Sequence, residues 1–272
     1  MMYSAGRAIR DLRTRRHISQ EELSYGICSV STLSKIETCT HNPNKKTLDA
    51  LLHRLGLPSC EYNIPVTEEE FRRGGIEREI SNCIVNHNFS YKTLLSEYEK
   101  ISSEMTNLEK QFFLYASANF DLHNGKSKSD ILSEYIKAIS ITIPDFCLEK
   151  PLTVKLLTNL EANLLSNIAT LLYDLGKTVD SLRILSFLKI FYENTEIDFA
   201  SRAIHYPVIV YNLSCCIGRD GHYEEAIEMC SNAIQMCVQA GKLDAFPMLL
   251  YNKGFCLLAL GKNEEGKTGY RR

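Results

Sequence analysis

A chain of 272 residues with 44% apolar and 24% charged residues has the balance of a soluble globular protein and the length for one large or two ordinary domains. No uninterrupted apolar run approaches the roughly 18 to 20 residues that span a bilayer. The arginine-rich start, Arg7 to Arg16, lacks the apolar centre of a secretion signal, so a cytoplasmic protein is expected and a membrane protein excluded. The net charge of −2 hides an asymmetry: residues 1–57 hold nine Lys and Arg against five Asp and Glu, or +4, which leaves −6 for the remainder. One end is suited to approach phosphate and the other is not.

The first helix is expected over residues 4–16, with Ile9 and Leu12 inward and Arg7, Arg10 and Arg15 available to solvent or phosphate. Two short helices then meet across a Gly-containing turn in residues 19–38. Ser19 and Glu22 have the spacing of a capping box, and the chain breaks at Gly26. The next helix, from Ser29, buries Leu33 and Ile36 on one side and leaves Val30, Ser31, Ser34 and Lys35 on the other. A small, polar, singly basic face suits insertion into a groove, so helix-turn-helix DNA binding is the leading reading. A fourth helix starts near Lys46 or Thr47 and presents Leu48, Leu51, Leu52 and Leu55 at helical spacing; Gly56 and Pro58 stop it. Residues 58–67 read as a linker.

These residues, with Gly6 to Arg13 before them and Thr47 to Leu52 after, resemble the Cro/repressor (XRE) type of helix-turn-helix domain, a five-helix type. The segment from Gly26 to Glu37 looks like the peptide-responsive regulators of Gram-positive bacteria called the RRNPP group, of the PlcR, NprR, PrgX and Rgg types. The close resemblance covers about the first sixty residues. It implies that Arg13 pairs with Glu37 to orient the recognition helix, and that Gln20 reaches a DNA phosphate. Ser29, Val30, Ser31, Thr32 and Lys35 then form the DNA-reading surface, with Thr32 toward the DNA backbone. Val30 suits a thymine methyl, Ser31 is an unselective partner, and Lys35 suits guanine O6 and N7. One position departs from the pattern. Where relatives place a Gly to close the recognition helix this chain has Cys39, so either the turn differs or the chain is strained there.

From residue 68 the chain shows helical patterns at 68–87, 90–103, 106–124, 128–142, 150–175, 178–193, 198–218, 222–240 and 243–260, with a last begun at Asn263. Helices in series with short turns predict an all-α fold, with the helix-turn-helix domain followed by an α-solenoid of helix pairs over residues 68–272. Internal similarity supports this. Tyr211-Asn212-Leu213-Ser214 and Gly221 to Ala226 recur as Tyr251-Asn252-Lys253-Gly254 and Gly261 to Gly266, with an earlier version at Ser166-Asn167-Ile168-Ala169. Small residues at 169, 214 and 254 let paired helices approach, as in tetratricopeptide repeats, but the forty-residue interval between the last two copies exceeds the usual length of about 34 and resembles the lengthened repeats of the peptide-responsive group. The chain ends inside the expected last pair, which leaves a truncated, partner-closed or simply short repeat array as alternatives.

Asn167, Asn212 and Asn252 share one repeat position, on the first helix of each pair. A row of side-chain amides can grip an extended peptide backbone, and the resemblance implies a short signalling peptide bound so. Alternatively, each Asn caps or bridges helices within its own repeat. Tyr206, Tyr211, Tyr251 and Phe255 are candidates for apolar pockets nearby. The ten cysteines contain no Cys-x-x-Cys pair and read as reduced small hydrophobes. The seven His residues have no metal-ligand spacing, and no phosphate loop or nucleophile motif occurs, so no catalytic residue, metal or cofactor is expected. The expected protein is a non-enzymatic, dimeric, quorum-sensing type of transcription regulator with duplex DNA and peptide as partners. The alternative is a repeat adaptor that captures a folded protein, with its helix-turn-helix inactive or only an address.

Overall fold

The computed structural model describes residues 5–57, 68–101 and 105–262, and the described residues form thirteen α-helices and no strand. The linker expected at 58–67, the helix expected from Asn263 and Cys60 lie outside the described residues. The chain divides into two compact units, residues 1–148 with 154–164, and residues 149–153 with 165–272.

In the first unit, α1 (Ala5–Arg15), α2 (Gln20–Ser24), α3 (Val30–Glu37) and α4 (Lys45–Arg54) enclose Ile9, Leu23, Leu33, Ile36, Leu48, Leu51 and Leu55. Among the described residues, 5–57 hold four helices, and the next described helix begins at Glu68. Ser19, Ser29 and Asn44 each accept a backbone N–H three residues on, which fixes where α2, α3 and α4 start. Gly6 brings α1 onto α3: a Cβ there would lie 1.9 Å from the Ile36 carbonyl oxygen. Cys39 closes α3 in the left-handed conformation, φ 60°, with the Thr40 N–H on the Lys35 carbonyl and its own N–H on Ile36. That is the Schellman arrangement a glycine adopts without a side-chain clash, so the expected turn is kept at a local steric cost.

Four further helices complete most of this unit: α5 (Glu68–Val85), α6 (Lys92–Lys100), α7 (Asn107–His123) and α8 (Lys128–Thr142). Helices α5, α6 and α7 pack over Ile76, Ile80, Tyr91, Tyr98, Phe112 and Ala116, and α8 packs on α7. Helix α9 (Asn159–Asp174) starts nine residues later than the pattern at 150–175 suggests. The reason is a capping box: the Thr158 N–H donates to Glu161 Oε2 at 2.6 Å, and the Glu161 N–H donates to Thr158 Oγ1 at 3.2 Å. Residues of α9 to Leu164 belong to the first unit and the rest to the second.

The second unit continues with α10 (Thr178–Asn194), α11 (Phe199–Arg219), α12 (Tyr223–Ala240) and α13 (Phe246–Ala259). Neighbours in sequence pack on one another, and α11 also packs on α13, so each first helix of a pair touches the next first helix. Ala226, Cys230, Ala233 and Cys237 are small and buried, and at Gly218 a Cβ would already be 3.0 Å from Cys256 Sγ. Burial raises the thiols of Cys216, Cys230 and Cys256 above the ordinary range, which keeps them protonated and inert. No disulfide joins the described cysteines.

Candidate functional site

The α2–turn–α3 segment presents the residues expected to read DNA. Leu33 and Ile36 are buried, while Ser29, Val30, Ser31 and Lys35 lie exposed on the outer side of α3. The Ser29 and Thr32 hydroxyls are 2.8 Å apart, and Ser29 Oγ accepts the Thr32 N–H at 3.0 Å, so both serve the helix start. Val30, Ser31 and Lys35 form the outward stripe.

Arg13 holds that helix in place. Its Nε and Nη2 donate to the two Glu37 oxygens at 2.6 and 2.9 Å, and Nη1 donates to the Ile18 carbonyl at 2.8 Å. Burial pushes the Glu37 carboxyl up, but the hydrogen bonds from Arg13 and Gln20 outweigh it and leave Glu37 below the usual carboxylate range. The two residues are thus brought together as a bidentate pair joining α1 to the end of α3. Gln20 Nε2 donates to Glu37 Oε2 at 2.7 Å, so in this arrangement its amide nitrogen points into the pair rather than toward a phosphate.

Sequence reasoning missed the contacts that hold the turn between α2 and α3. Gly26 has φ 69°, and a Cβ there would lie 2.0 Å from the Thr142 carbonyl oxygen at the end of α8. Tyr25 donates its hydroxyl to Asp145 at 2.5 Å, and Lys155 pairs with Glu22 at 2.9 Å. Arg54 of α4 donates to the carbonyls of Leu23 and Tyr25 and to Glu161 of α9 at 2.9 Å. The Thr158-x-x-Glu161 spacing was the available signal for one end of this link; nothing in the sequence paired it with Arg54.

In the second unit, Asn212 Nδ2 donates to Ser166 Oγ at 3.0 Å, and Asn252 Nδ2 donates to Ser214 Oγ at 2.8 Å. These bonds tie α11 to α9 and α13 to α11, the bridging arrangement. Asn252 is buried; Asn167 and Asn212 are partly exposed. Tyr206 donates to Glu193 at 2.6 Å, and Tyr211 is half-buried. Met248, Tyr251, Phe255 and Leu258 form an exposed apolar stripe on α13. Arg219 lies 5.4 Å over the Tyr173 ring. No group of three or more metal-ligating side chains occurs among the described residues. No helix among them is long and apolar enough to cross a membrane.

The fold therefore places the chain among all-helical proteins with an N-terminal helix-turn-helix and tetratricopeptide-like helical repeats. Residues 9–62 match the helix-turn-helix family model. The chain is similar in fold to Bacillus thuringiensis PlcR solved with the peptide PapR7 and DNA: TM-score 0.63, 17% identity, covering 98% of this chain and 91% of that one. It is similar also to PlcR in its apo form, at TM-score 0.59 and 15% identity over 97% and 90%. A Rap protein complexed with Competence and Sporulation Factor aligns at TM-score 0.55 and 15% identity, over 98% of this chain and 64% of that one. No curated protein sequence matches the chain.

Proposed function

We propose that this chain is a cytoplasmic transcription regulator rather than an enzyme, in which residues 1–57 bind an operator and the repeats of residues 68–272 bind a short signalling peptide. The observation that carries the reading is the outward stripe of Val30, Ser31 and Lys35, backed by buried Leu33 and Ile36 on a helix fixed by Arg13 and Glu37. Its occurrence in a chain with the fold of a protein solved with both peptide and DNA supports the pairing of the two activities. As a dimer, the protein reads two half-sites about 34 Å apart. Peptide binding acts by favouring one dimer arrangement, and so one spacing of the two α3 helices. The amides of Asn167 and Asn212 are the peptide contacts of this reading, with Asn252 brought in by release of its bond to Ser214.

The test is a gel shift with the full chain against genomic duplex fragments, with and without peptides from culture supernatant. Selection of a discrete fragment, altered by a peptide fraction, is expected. Absence of any selected fragment in both conditions sinks the reading and favours a protein-capturing adaptor, to which the exposed apolar stripe on α13 is suited.

A further inference from the structure

A groove of about 570 Å³ runs along α6 where it lies beside α5, with Arg72 of α5 on one wall. Its long axis follows from helix spacing. Lys92, Ser96 and Lys100 of α6 are four residues apart, so they form one row, and Glu97 and Ile101 belong to the row beside it. Lys92 and Lys100 therefore stand about 12 Å apart, at the two ends of the groove. Ile101, half-buried, and the methylene stems of the basic residues supply its apolar surface.

The charge of the groove is unbalanced. Arg72 donates from Nε and Nη2 to Glu97 Oε1 at 3.2 and 2.6 Å, which neutralises the one carboxylate on its wall. Lys92 and Lys100 meet no carboxylate among the described residues, whereas Lys46, Arg72 and Arg73, on or against the same helices, are each paired with a glutamate. Glu99 precedes Lys100 but lies about 100° round the helix from it. Lys100, in the last turn of α6, suits the helix dipole; Lys92, at the first position, opposes it, so helix stability does not account for Lys92. The surroundings have the opposite sign: residues 68–101 hold seven Glu and no Asp against five Lys and Arg. That surface repels a long polyanion such as duplex DNA, while a short segment with two suitably spaced carboxylates meets the lysines alone.

Two helices side by side offer a trough to a third. Leu95 and Tyr98, the buried residues of α6, lie about 180° from the centre of the groove, and α7 packs on that side. The groove is the trough left on the opposite side. On a helix laid in it, glutamates seven or eight residues apart rise about 10 to 12 Å and so match the two lysines. We propose that the α5–α6 groove docks a helical, glutamate-rich segment of a partner protein, with carboxylates on Lys92 and Lys100 and an apolar side chain over Ile101. The site uses none of the residues assigned to DNA or to the signalling peptide, so it goes beyond the regulator reading and does not depend on it.

The experiment uses the full chain and a labelled alanine-based helical peptide of about 16 residues, carrying glutamates at positions i, i+7 and i+8, with a glutamine version as control. Binding is read by fluorescence anisotropy. Saturable binding of the glutamate peptide alone is expected, weakening as salt is raised. Lys92→Gln and Lys100→Gln, both at exposed positions, should each weaken it about two- to five-fold, and the double variant should weaken it further. Lys92→Arg, which keeps the charge, should retain it. Glu97→Gln frees Arg72 and should tighten it, the reverse of what loss of a merely structural ion pair would do. Circular dichroism and operator binding, both expected to match wild type, show that the variants are folded. Equal binding of the two peptides, binding of neither, or binding intact in the folded double variant overturns the proposal. Competition by a scrambled duplex that disappears in the double variant assigns the groove to nucleic acid, and self-association lost in that variant assigns it to a second copy of the chain; either result overturns the proposal too. The gel shift and the anisotropy report on different residues, so failure of the regulator reading and failure of this one are distinguishable.

Discussion

Arg54 and Glu161 stand 107 residues apart in the chain and form an ion pair of 2.9 Å from which water is excluded, the side chains being 2% and 0% exposed. Each end has a second task. Arg54 closes the carbonyls at the end of α2, and Glu161 caps the start of α9. Removing either partner alone leaves a buried charge without its counterion, which costs about 3 to 5 kcal/mol. Arg54→Met and Glu161→Leu should each lower the free energy of unfolding, measured by denaturant titration, by that amount. The double variant should recover part of the loss, because two apolar groups replace the pair. Simple addition of the two losses would show that the pair does not couple.

The glycines of the first unit divide sharply by what surrounds them. Gly6→Ala pushes a methyl into the Ile36 carbonyl, and Gly26→Ala meets both the Thr142 carbonyl and a left-handed backbone. Each should destabilise by about 1 to 3 kcal/mol or more. Gly74 and Gly75 sit inside α5 with nothing within 4 Å of an added Cβ. Gly74→Ala and Gly75→Ala should instead stabilise by about 0.5 to 1 kcal/mol each. Thermal unfolding of the four variants checks the contrast, and stabilisation by Gly26→Ala would contradict the close approach of the turn to α8.

Acid stability should carry the mark of Glu22. The Ser19 backbone N–H, then Lys155 and the Ser19 hydroxyl, hold its carboxyl at about 2 against an ordinary 4.5. A carboxylate with a depressed folded pKa contributes stability that is present above the unfolded value and lost as pH falls. The loss attributable to Glu22 should therefore fall between about 4.5 and about 2. Glu22→Gln should flatten that part of the stability profile, and Lys155→Ala should shift it only slightly because the backbone bond dominates. An unchanged profile in Glu22→Gln would place the acid sensitivity elsewhere, with Glu37 the next carboxylate held low.

Local chemistry made much of this fold readable from sequence. The Ser19 and Glu22 box, the breaks at Gly26 and Gly56, and the unusual residue at Cys39 all depend on groups within about one helical turn. The pattern at 150–175 misplaced a helix start because apolar spacing cannot distinguish extended chain packed on a core from helix, whereas the Thr158 cap decides it. Arg54 with Glu161 and Gly26 with Thr142 depend on residues more than a hundred positions apart, and nothing in their own neighbourhoods points to the partner. Gln20 illustrates a subtler limit: its place on α2 was clear, but Glu37 claims its amide nitrogen.

The outward stripe of α3 makes a separable prediction about specificity. Ser31 and Lys35 carry no packing load, so the variant Ser31→Ala with Lys35→Ala should keep its unfolding transition. Loss of a good base contact is worth about 1 to 3 kcal/mol. The variant should therefore bind the selected fragment roughly 5- to 150-fold more weakly while binding scrambled duplex nearly as before. Equal weakening on both duplexes would reassign these residues to the backbone.

The asparagines of the repeats make two predictions that pull apart. Asn252 is buried and donates to Ser214 Oγ at 2.8 Å and to Cys230 Sγ at 3.7 Å, while Ser214 also donates to the Tyr211 carbonyl. Asn252→Ala therefore strands groups inside the repeat and should destabilise by about 1 to 3 kcal/mol. Asn212 is partly exposed, and its nitrogen bonds Ser166 Oγ at 3.0 Å. If that bond is only a bridge, Asn212→Ala and Ser166→Ala should cost similar stability and leave peptide affinity alone. If the amide also grips a peptide, Asn212→Ala should weaken binding by calorimetry, whereas Ser166→Ala, which removes the competing acceptor, should leave it equal or tighter. Parallel losses of affinity in both variants would mean that the bridge shapes the site and that no amide touches the peptide.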